Sequence, residues 1–498
     1  MKGASISILA ALAAIVSSQD LPPVTTEELQ SLISLDELLS GAEQLQAFAD
    51  AHPGGNRVFG SPGHNDTVNF LADTLVATGY YDVEVQEFVE LFSGGNASLT
   101  TSGEEQEATI MTYTPSGSVN ASLVAVPNLG CLPEDFPPEA EGAVVLISRG
   151  ECPFAEKATN ALSAGAVGAI VYNNVEGSLA GTLGGVGDYA PIVGIEQAPG
   201  EALLALLEAG EEVTVKLEIN AILENRTTYN VIAETKGGDH QNVIALGAHT
   251  DSVEQGPGIN DDGSGTIGIL NVAIALSNFT VTNAVRFCFW SAEEFGLLGS
   301  NYYVSQLNQT ASEIAKIRAY LNFDMIASPN YYYAIYDGDG SSFNLTGPPG
   351  SAEIEADFQA FYITKGVRYS STAFDGRSDY GAFLENNIPA GGLFTGAEDI
   401  KTEEEAEAYG GTAGVAYDEN YHGPGDTVDN LDHDAFLLNT QSIANSIALY
   451  ATGGGLDRIA AVTPPTVKRH WQPSARKTRR ELAHAGHSHC NSRDVPAI

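Results

Sequence analysis

Three short apolar runs in the second half of the chain each lead into residues that bind metals or move protons. Val243-Ile-Ala-Leu-Gly-Ala248 is followed by His249-Thr-Asp251, Ala284 to Trp290 by Ser-Ala-Glu293-Glu294, and Tyr320-Leu-Asn-Phe323 by Asp324. Helical patterns lie between them: Ser264 to Ser277, and a stretch through Ile314 and Ile317. A continuous apolar run fits a strand buried on both faces. Such strands alternating with helices predict an α/β fold, a mixed, largely parallel sheet covered by helices. Sheets of this kind hold ligands at the carboxyl ends of their strands. Three strand ends that deliver His, Glu-Glu and Asp to one edge are hard to explain as packing alone.

The loop between the first two runs adds Gly258-Ile-Asn-Asp261-Asp262-Gly-Ser-Gly just ahead of the long apolar helix. Asp262 fits a helix cap as well as a ligand; Asp261, ten residues beyond Asp251, fits a ligand better. Tyr421-His422-Gly-Pro-Gly-Asp426 brings a second histidine much later in the chain. Two histidines and three carboxylates suit a pair of zinc ions that share one bridging carboxylate. Such a pair can activate a water and hold a developing oxyanion. A further carboxylate must take the proton, and Glu293 and Glu294 could divide the work, one as base and one as ligand. Asp251 can orient the imidazole of His249.

The first eighteen residues read as a secretory signal: Lys2, a short apolar run from Ile6 to Val16, and small residues at Val16-Ser-Ser18. Residues 19–40 are polar and acidic with little to bury, and read as a leader or propeptide. Seven sequons, at Asn65, Asn96, Asn120, Asn225, Asn278, Asn308 and Asn344, suit a glycosylated, secreted protein. Of four cysteines, Cys131 and Cys152 are the natural disulfide pair, and Cys288 lies inside an apolar run as a buried thiol. The chain of 498 residues carries 64 acidic and 22 basic residues, a net charge of −42. That excludes a phosphate-binding face on the main body and favours cationic ligands. No later stretch reads as a membrane span, and the protein is expected to be monomeric, with no nucleic-acid or membrane partner. Eight of the basic residues fall in the tail, 456–498, which is expected to be disordered.

Residues 113–222 read as a separate small α/β unit. Arg149-Gly-Glu-Cys152-Pro-Phe154-Ala-Glu-Lys157 and Ala164-Gly-Ala-Val-Gly168-Ala-Ile-Val171-Tyr-Asn resemble a protease-associated domain, a common insert in secreted peptidases. The flanking segments, 41–112 and 223–455, form the catalytic domain. Gly247-Ala-His249-Thr-Asp251, Gly256-Pro-Gly-Ile-Asn-Asp261-Asp-Gly-Ser-Gly, Ala292-Glu293-Glu294-Phe-Gly-Leu-Leu-Gly-Ser and Asn322-Phe-Asp324-Met together resemble the di-zinc aminopeptidases of metallopeptidase family 28. The likeness is greatest to its secreted leucine aminopeptidase and aminopeptidase Y group, which has a zinc exopeptidase fold with the same insert.

That resemblance implies roles. His249 and Asp324 would hold one zinc, Glu294 and His422 the other, and Asp261 would bridge them. Glu293 would be the general base, and Tyr421 would help stabilise the tetrahedral intermediate. The implied substrates are peptides with a free N-terminus, with apolar, leucine-type residues preferred. Three rivals stand against this reading. A carboxypeptidase of the glutamate carboxypeptidase type needs arginines for a substrate carboxylate, for which only Arg377 is a loose candidate. A single-zinc glutaminyl cyclase or a non-catalytic binder would not keep the full ligand set. Phe374, Phe383 and Tyr417 fit either an apolar substrate pocket or the core.

Overall fold

The computed structural model describes residues 21–175, 177 and 179–462, which divide into two compact units, 21–86 with 229–462 and 87–228. The expected signal at 1–18, and the tail beyond 462 with its histidines and Cys490, lie outside the described residues. None of the described helices is long and apolar enough to cross a membrane.

In the larger unit the sheet is mixed and mostly parallel. Its strands run in the order Ser370–Thr372, Ala334–Tyr336, Ala390–Phe394, Ile317–Phe323, Asp239–His249 and Asn283–Trp290, then the last part of Thr214–Thr235. The four from Ala390–Phe394 to Asn283–Trp290 are parallel; antiparallel neighbours flank them on either side. Their register sets Leu246 beside Phe287 on one side and Leu321 on the other. Side chains alternate across a strand. Ile244, Leu246 and Ala248 therefore join one core, with the helices Leu35–Asp50, Gly265–Leu276 and His433–Ala451. Val243 and Ala245 join the other, with Tyr303 and Val304 of Leu298–Leu307 and Phe383 of Tyr380–Leu384. Both faces are covered, which is why the runs are apolar without interruption. Ile317, expected in a helix, begins a strand instead: the helix Ala311–Ile314 is a single turn, and Ile317 pairs with Val243.

The smaller unit has its own sheet and its own apolar clusters. Val144–Ser148 is parallel to Gly168–Tyr172, which is parallel to Ile192–Ile195. Gly117–Ser122 pairs antiparallel with Thr214–Ile219. The helices Phe154–Ser163 and Gln197–Glu208 also belong to this unit. Because Leu99–Thr101 also pairs with Glu104–Gln106 here, the unit is wider than the expected 113–222. Cys131 and Cys152 are joined, 5.7 Å apart at Cα, and Cys288 is a buried free thiol in the larger unit.

Two expectations about chain ends need correction. Residues from Val24 to Leu38 bury more than their polarity suggests: Thr26–Ser31 and the start of Leu35–Asp50 are helical, and Val24, Leu29, Ile33 and Leu38 enter the larger core. Thr25 caps the first helix by accepting from the Glu28 N–H. At the other end, Leu456, Ile459 and Val462 are also buried, so the folded part extends past Gly455. Loss of four buried apolar side chains would cost about 6–12 kcal/mol, comparable with the whole stability of a domain. The folded protein is therefore expected to keep Val24 to Leu38, as N-terminal sequencing of the purified chain would show. A folded, active form beginning after residue 40 would refute this.

Candidate metal centre

Three ligand types arrive on strand ends and two on loops. His249 ends Asp239–His249, Glu293 and Glu294 follow Asn283–Trp290, and Asp324 follows Ile317–Phe323. Asp261 lies in the tight turn Ile259–Ser264 ahead of Gly265–Leu276, and the peptide bond between Asp261 and Asp262 is cis. His422 comes from the loop after Asp418. The two loops approach so closely that a Cβ on Gly256 would lie 2.1 Å from the Gly423 carbonyl oxygen. Only glycine fits there.

These residues form two groups that share Asp261. Ligand atoms of His249, Asp261 and Asp324 lie within 4.8 Å of one another, as do those of Asp261, Glu294 and His422. Asp261 turns one oxygen to each histidine. Its Oδ1 is 3.1 Å from His249 Nε2, and its Oδ2 is 3.0 Å from His422 Nε2. Asp324 Oδ1 lies 3.7 Å from His249 Nε2, and Glu294 Oε2 lies 3.0 Å from His422 Nε2. The His249 side chain is 1% exposed and that of His422 is 32% exposed, so the centre opens on the His422 side. A cleft there is lined by Val253, Asp261, Glu294, His422 and Asp426.

The electrostatics ask for a cation. Burial alone would lower the His249 pKa, but Asp251, Asp261 and Asp324 outweigh it and raise the value well above that of a free imidazole. His422 is raised in the same way against its own burial, by Glu294 and Asp261. Burial pushes Asp261 up, yet the two histidines hold its carboxyl far below the ordinary range. Burial raises both Glu293 and Glu294. Positive charge is therefore drawn to the space between these side chains, which a metal ion would supply. His422 Nε2 supports the same fit, because it faces two carboxylate oxygens at 3.0 Å without a hydrogen-bonding geometry to either. Nitrogen and carboxylate donors at one point suit zinc.

Glu293 sits outside both groups, beside them, and its backbone N–H donates to Asp251 Oδ1 at 3.0 Å. His249 Nδ1 is 3.1 Å from the Asp251 backbone oxygen and 3.6 Å from its carboxylate, so the closer partner is the backbone. Tyr421 stacks on His422, with ring centroids 3.9 Å apart. Asp262 settles as a tie between elements. It accepts the N–H groups of His249, Gly265 and Met325, and stands in neither ligand group. The three aromatic candidates are core: Phe374 stacks on Tyr336, Phe383 on Tyr320 and Tyr417 on Tyr332.

Several residues essential to this geometry were not singled out by the sequence. Arg57, fully buried, donates to the backbone oxygens of Thr250, Pro257 and Gly258 and so clamps the ligand loop. Ser378 donates to Asp324 Oδ2 at 2.5 Å and accepts from Asn322 Nδ2 at 2.9 Å. Asp426 accepts the backbone N–H groups of Asn260 and Asp261 at 2.7 and 3.0 Å. Nothing local marks Arg57, and although the segment Phe374 to Asp379 resembles a family loop near the substrate amine, nothing local gives Ser378 its partner. Asp426 could have been found, since it is an acid four residues beyond a ligand histidine in a Gly-Pro-Gly loop.

Known proteins resemble the chain along the same residues. The profile of Peptidase family M28 matches residues 230–447, and that of the PA domain matches 119–203. "Probable leucine aminopeptidase 2" of Aspergillus fumigatus is 56% identical over 473 residues, 94% of this chain and 93% of that one. "Leucine aminopeptidase 2" of Arthroderma otae is 56% identical over 433 residues, 86% of this chain and 87% of that one. Among solved structures, "Aminopeptidase from Aneurinibacillus sp. strain AM-1" has a TM-score of 0.67 at 29% identity, covering 89% of this chain and 98% of that one.

The Asp426 contacts yield a test. Asp426→Ala should free the Asp261 backbone and weaken metal retention about 10–100-fold, the usual effect of losing a group that orients a ligand. Metal content after graded dialysis measures it. Retention equal to that of the unmodified protein would show that Asp426 does not position the centre.

Proposed function

The chain belongs to peptidase family M28 and is an aminopeptidase, and from that premise we propose a secreted enzyme with two zinc ions that removes apolar, leucine-type residues from free N-termini. The observation that carries the metal count is the Asp261 carboxylate, with one oxygen toward each histidine. In this reading His249 and Asp324 hold one ion, Glu294 and His422 the other, and Asp261 both. Bound there, zinc polarises the scissile carbonyl and lowers the pKa of a water. Glu293, next to the ligands but outside both groups, takes the proton from the attacking water and returns it to the leaving amine. Asp251 holds the His249 ring through its carbonyl and the Glu293 backbone through its carboxylate, so it positions both. Tyr421, held against His422, donates to the developing oxyanion.

Direction follows from charge. A C-terminal carboxylate would need an arginine with free donors. The Arg377 charge is already paired, its Nη2 donating to both Glu398 oxygens at 3.0 Å, and Arg57 spends its donors on backbone carbonyls. Carboxylates dominate the remaining surroundings and favour a protonated amine with charge-assisted hydrogen bonds. The names of the fungal relatives support leucine at that position. Secretion rests on the signal-like first eighteen residues, the sequons and the disulfide. Glycosylation is proposed first at Asn96, Asn120, Asn225, Asn278 and Asn344, which are exposed. Asn65 lies in a helix with the next sequon position, Thr67, buried, and Asn308 is half-buried against Asn386.

Aminoacyl chromogenic substrates test the whole reading. Free leucyl substrate should be turned over and its N-acetylated form should not. A chelator should abolish the activity and added zinc restore it. Glu293→Gln should keep both metals, counted by elemental analysis, while losing about 10²–10⁴ in kcat. Turnover of acetylated peptides, residues released from the C-terminus, or one zinc per active chain would each overturn its part of the proposal. If Glu293→Gln lost metal while Glu294→Gln kept it, the two glutamates would exchange roles.

A further inference from the structure

The larger unit holds a second convergence of carboxylates that shares no residue with the metal centre. Oxygens of Asp337, Asp339 and Glu355 lie within 4.8 Å of one another. Asp337 follows the strand Ala334–Tyr336, Asp339 is in the loop after it, and Glu355 is on the helix Ser351–Lys365. Asp337 is 0% exposed and Glu355 is 3% exposed. One Asp337 oxygen, Oδ2, accepts the N–H groups of Ser342 and Phe343 at 3.0 and 2.8 Å. The other, Oδ1, is buried and has no hydrogen-bond partner. No basic side chain pairs with Asp337 or Glu355 among the described residues.

A buried carboxylate oxygen left without a donor is costly, and a charged one more so. Asp337 Oδ1 is that oxygen; Glu355 accepts from the Asp339 N–H and from Gln359 Nε2, and Asp339, which is exposed, accepts from the Ser341 N–H, so the three carboxylates meet with no cation among them and repel one another. Burial, then the Asp339 and Asp337 charges, push Glu355 up to about 7 against two backbone N–H bonds that would lower it. The arrangement therefore calls for positive charge at the point where the oxygens meet. The donors are all oxygen, with no nitrogen or sulfur, which suits a hard ion and not zinc. Calcium accepts irregular sets of six to eight oxygens, completed by backbone carbonyls and water, whereas magnesium demands a near-ideal octahedron. Asp337-Gly-Asp339-Gly-Ser341 alternates oxygen-bearing side chains as calcium loops do, although the glycine expected at the sixth position is Ser342. The loop is pressed onto the helix: a Cβ on Gly338 would lie 2.1 Å from the Ser351 carbonyl oxygen.

We propose that Asp337, Asp339 and Glu355 bind one calcium ion, which ties the loop 337–347 to the start of the helix Ser351–Lys365. The ion would be structural, since none of the three residues belongs to the metal centre.

The test uses the full, zinc-loaded protein in buffers freed of divalent ions. Equilibrium dialysis with radioactive calcium should find one bound ion per chain without loss of zinc. Saturating calcium should raise Tm by a few degrees, and magnesium at the same concentration by less. Asp337→Asn and Asp339→Asn should each abolish the binding and the Tm response; the second, at an exposed residue, serves if the first does not fold. Wild-type protein that binds no calcium would overturn the proposal, as would binding that persists in both variants. Stabilisation by Glu355→Gln equal to that expected from calcium, with no ion bound, would assign the charge balance to a shared proton instead.

Discussion

The position of one carboxylate, Asp261, organises the larger unit. Its two oxygens face two histidines that arrive from opposite ends of the domain sequence, one on a strand end and one on a late loop. Neither contact is possible unless the turn Ile259–Ser264 holds its shape. Arg57 clamps that turn from one side and Asp426 from the other, both through backbone groups. The buried guanidinium also leaves one fixed positive charge among many carboxylates, which lowers the cost of gathering them. Burial pushes Asp426 up to about 7, but its bonds to two backbone N–H groups hold it in place as an acceptor.

Around that turn the backbone is bent where the ligands sit. Ala292, just before Glu293, Met325, just after Asp324, and His422 itself all have positive φ, between 54° and 59°. None is a glycine, and left-handed conformations cost other residues about 1–2 kcal/mol each. Strands that run straight would carry their side chains past the edge of the sheet. The left-handed residues turn the chain there, so Glu294 and Asp324 project into the same space as His249. The twin apolar cores make this affordable, because the strands beneath are packed on both faces and cannot relax toward the loops.

The sheet and the residues it gathers were legible for one physical reason: both depend on local pattern. Buried parallel strands read as unbroken apolar runs, and the chain must leave the sheet where each run stops, so His249, Glu294 and Asp324 stand out by position alone. Asp261 and His422 stand out because glycine-rich loops surround them. What was missed depends on partners distant in sequence. Arg57 acts on carbonyls about 200 residues away, and Ser378 on Asp324 54 residues away. The segment from Val24 to Leu38 was misjudged for the same reason. Its polar residues dominate the composition, while its few apolar ones fall on one side of short helices and meet a core formed by later strands.

The two carboxylate clusters present the same problem with different donors. Each brings carboxylates together where burial and mutual repulsion ask for positive charge. At the centre around Asp261, imidazole nitrogens stand among the oxygens, and His422, at 32% exposure, is open to solvent. That combination selects zinc and permits chemistry. At Asp337 the donors are oxygen only, one of them already bound to two backbone amides, and two of the three carboxylates are buried where a loop meets a helix. Such a set selects calcium and permits only a structural tie. The strongly acidic composition is thus not merely a solvated surface. Part of it is buried in two places, where donor type decides which cation the fold accepts and accessibility decides what that cation can do.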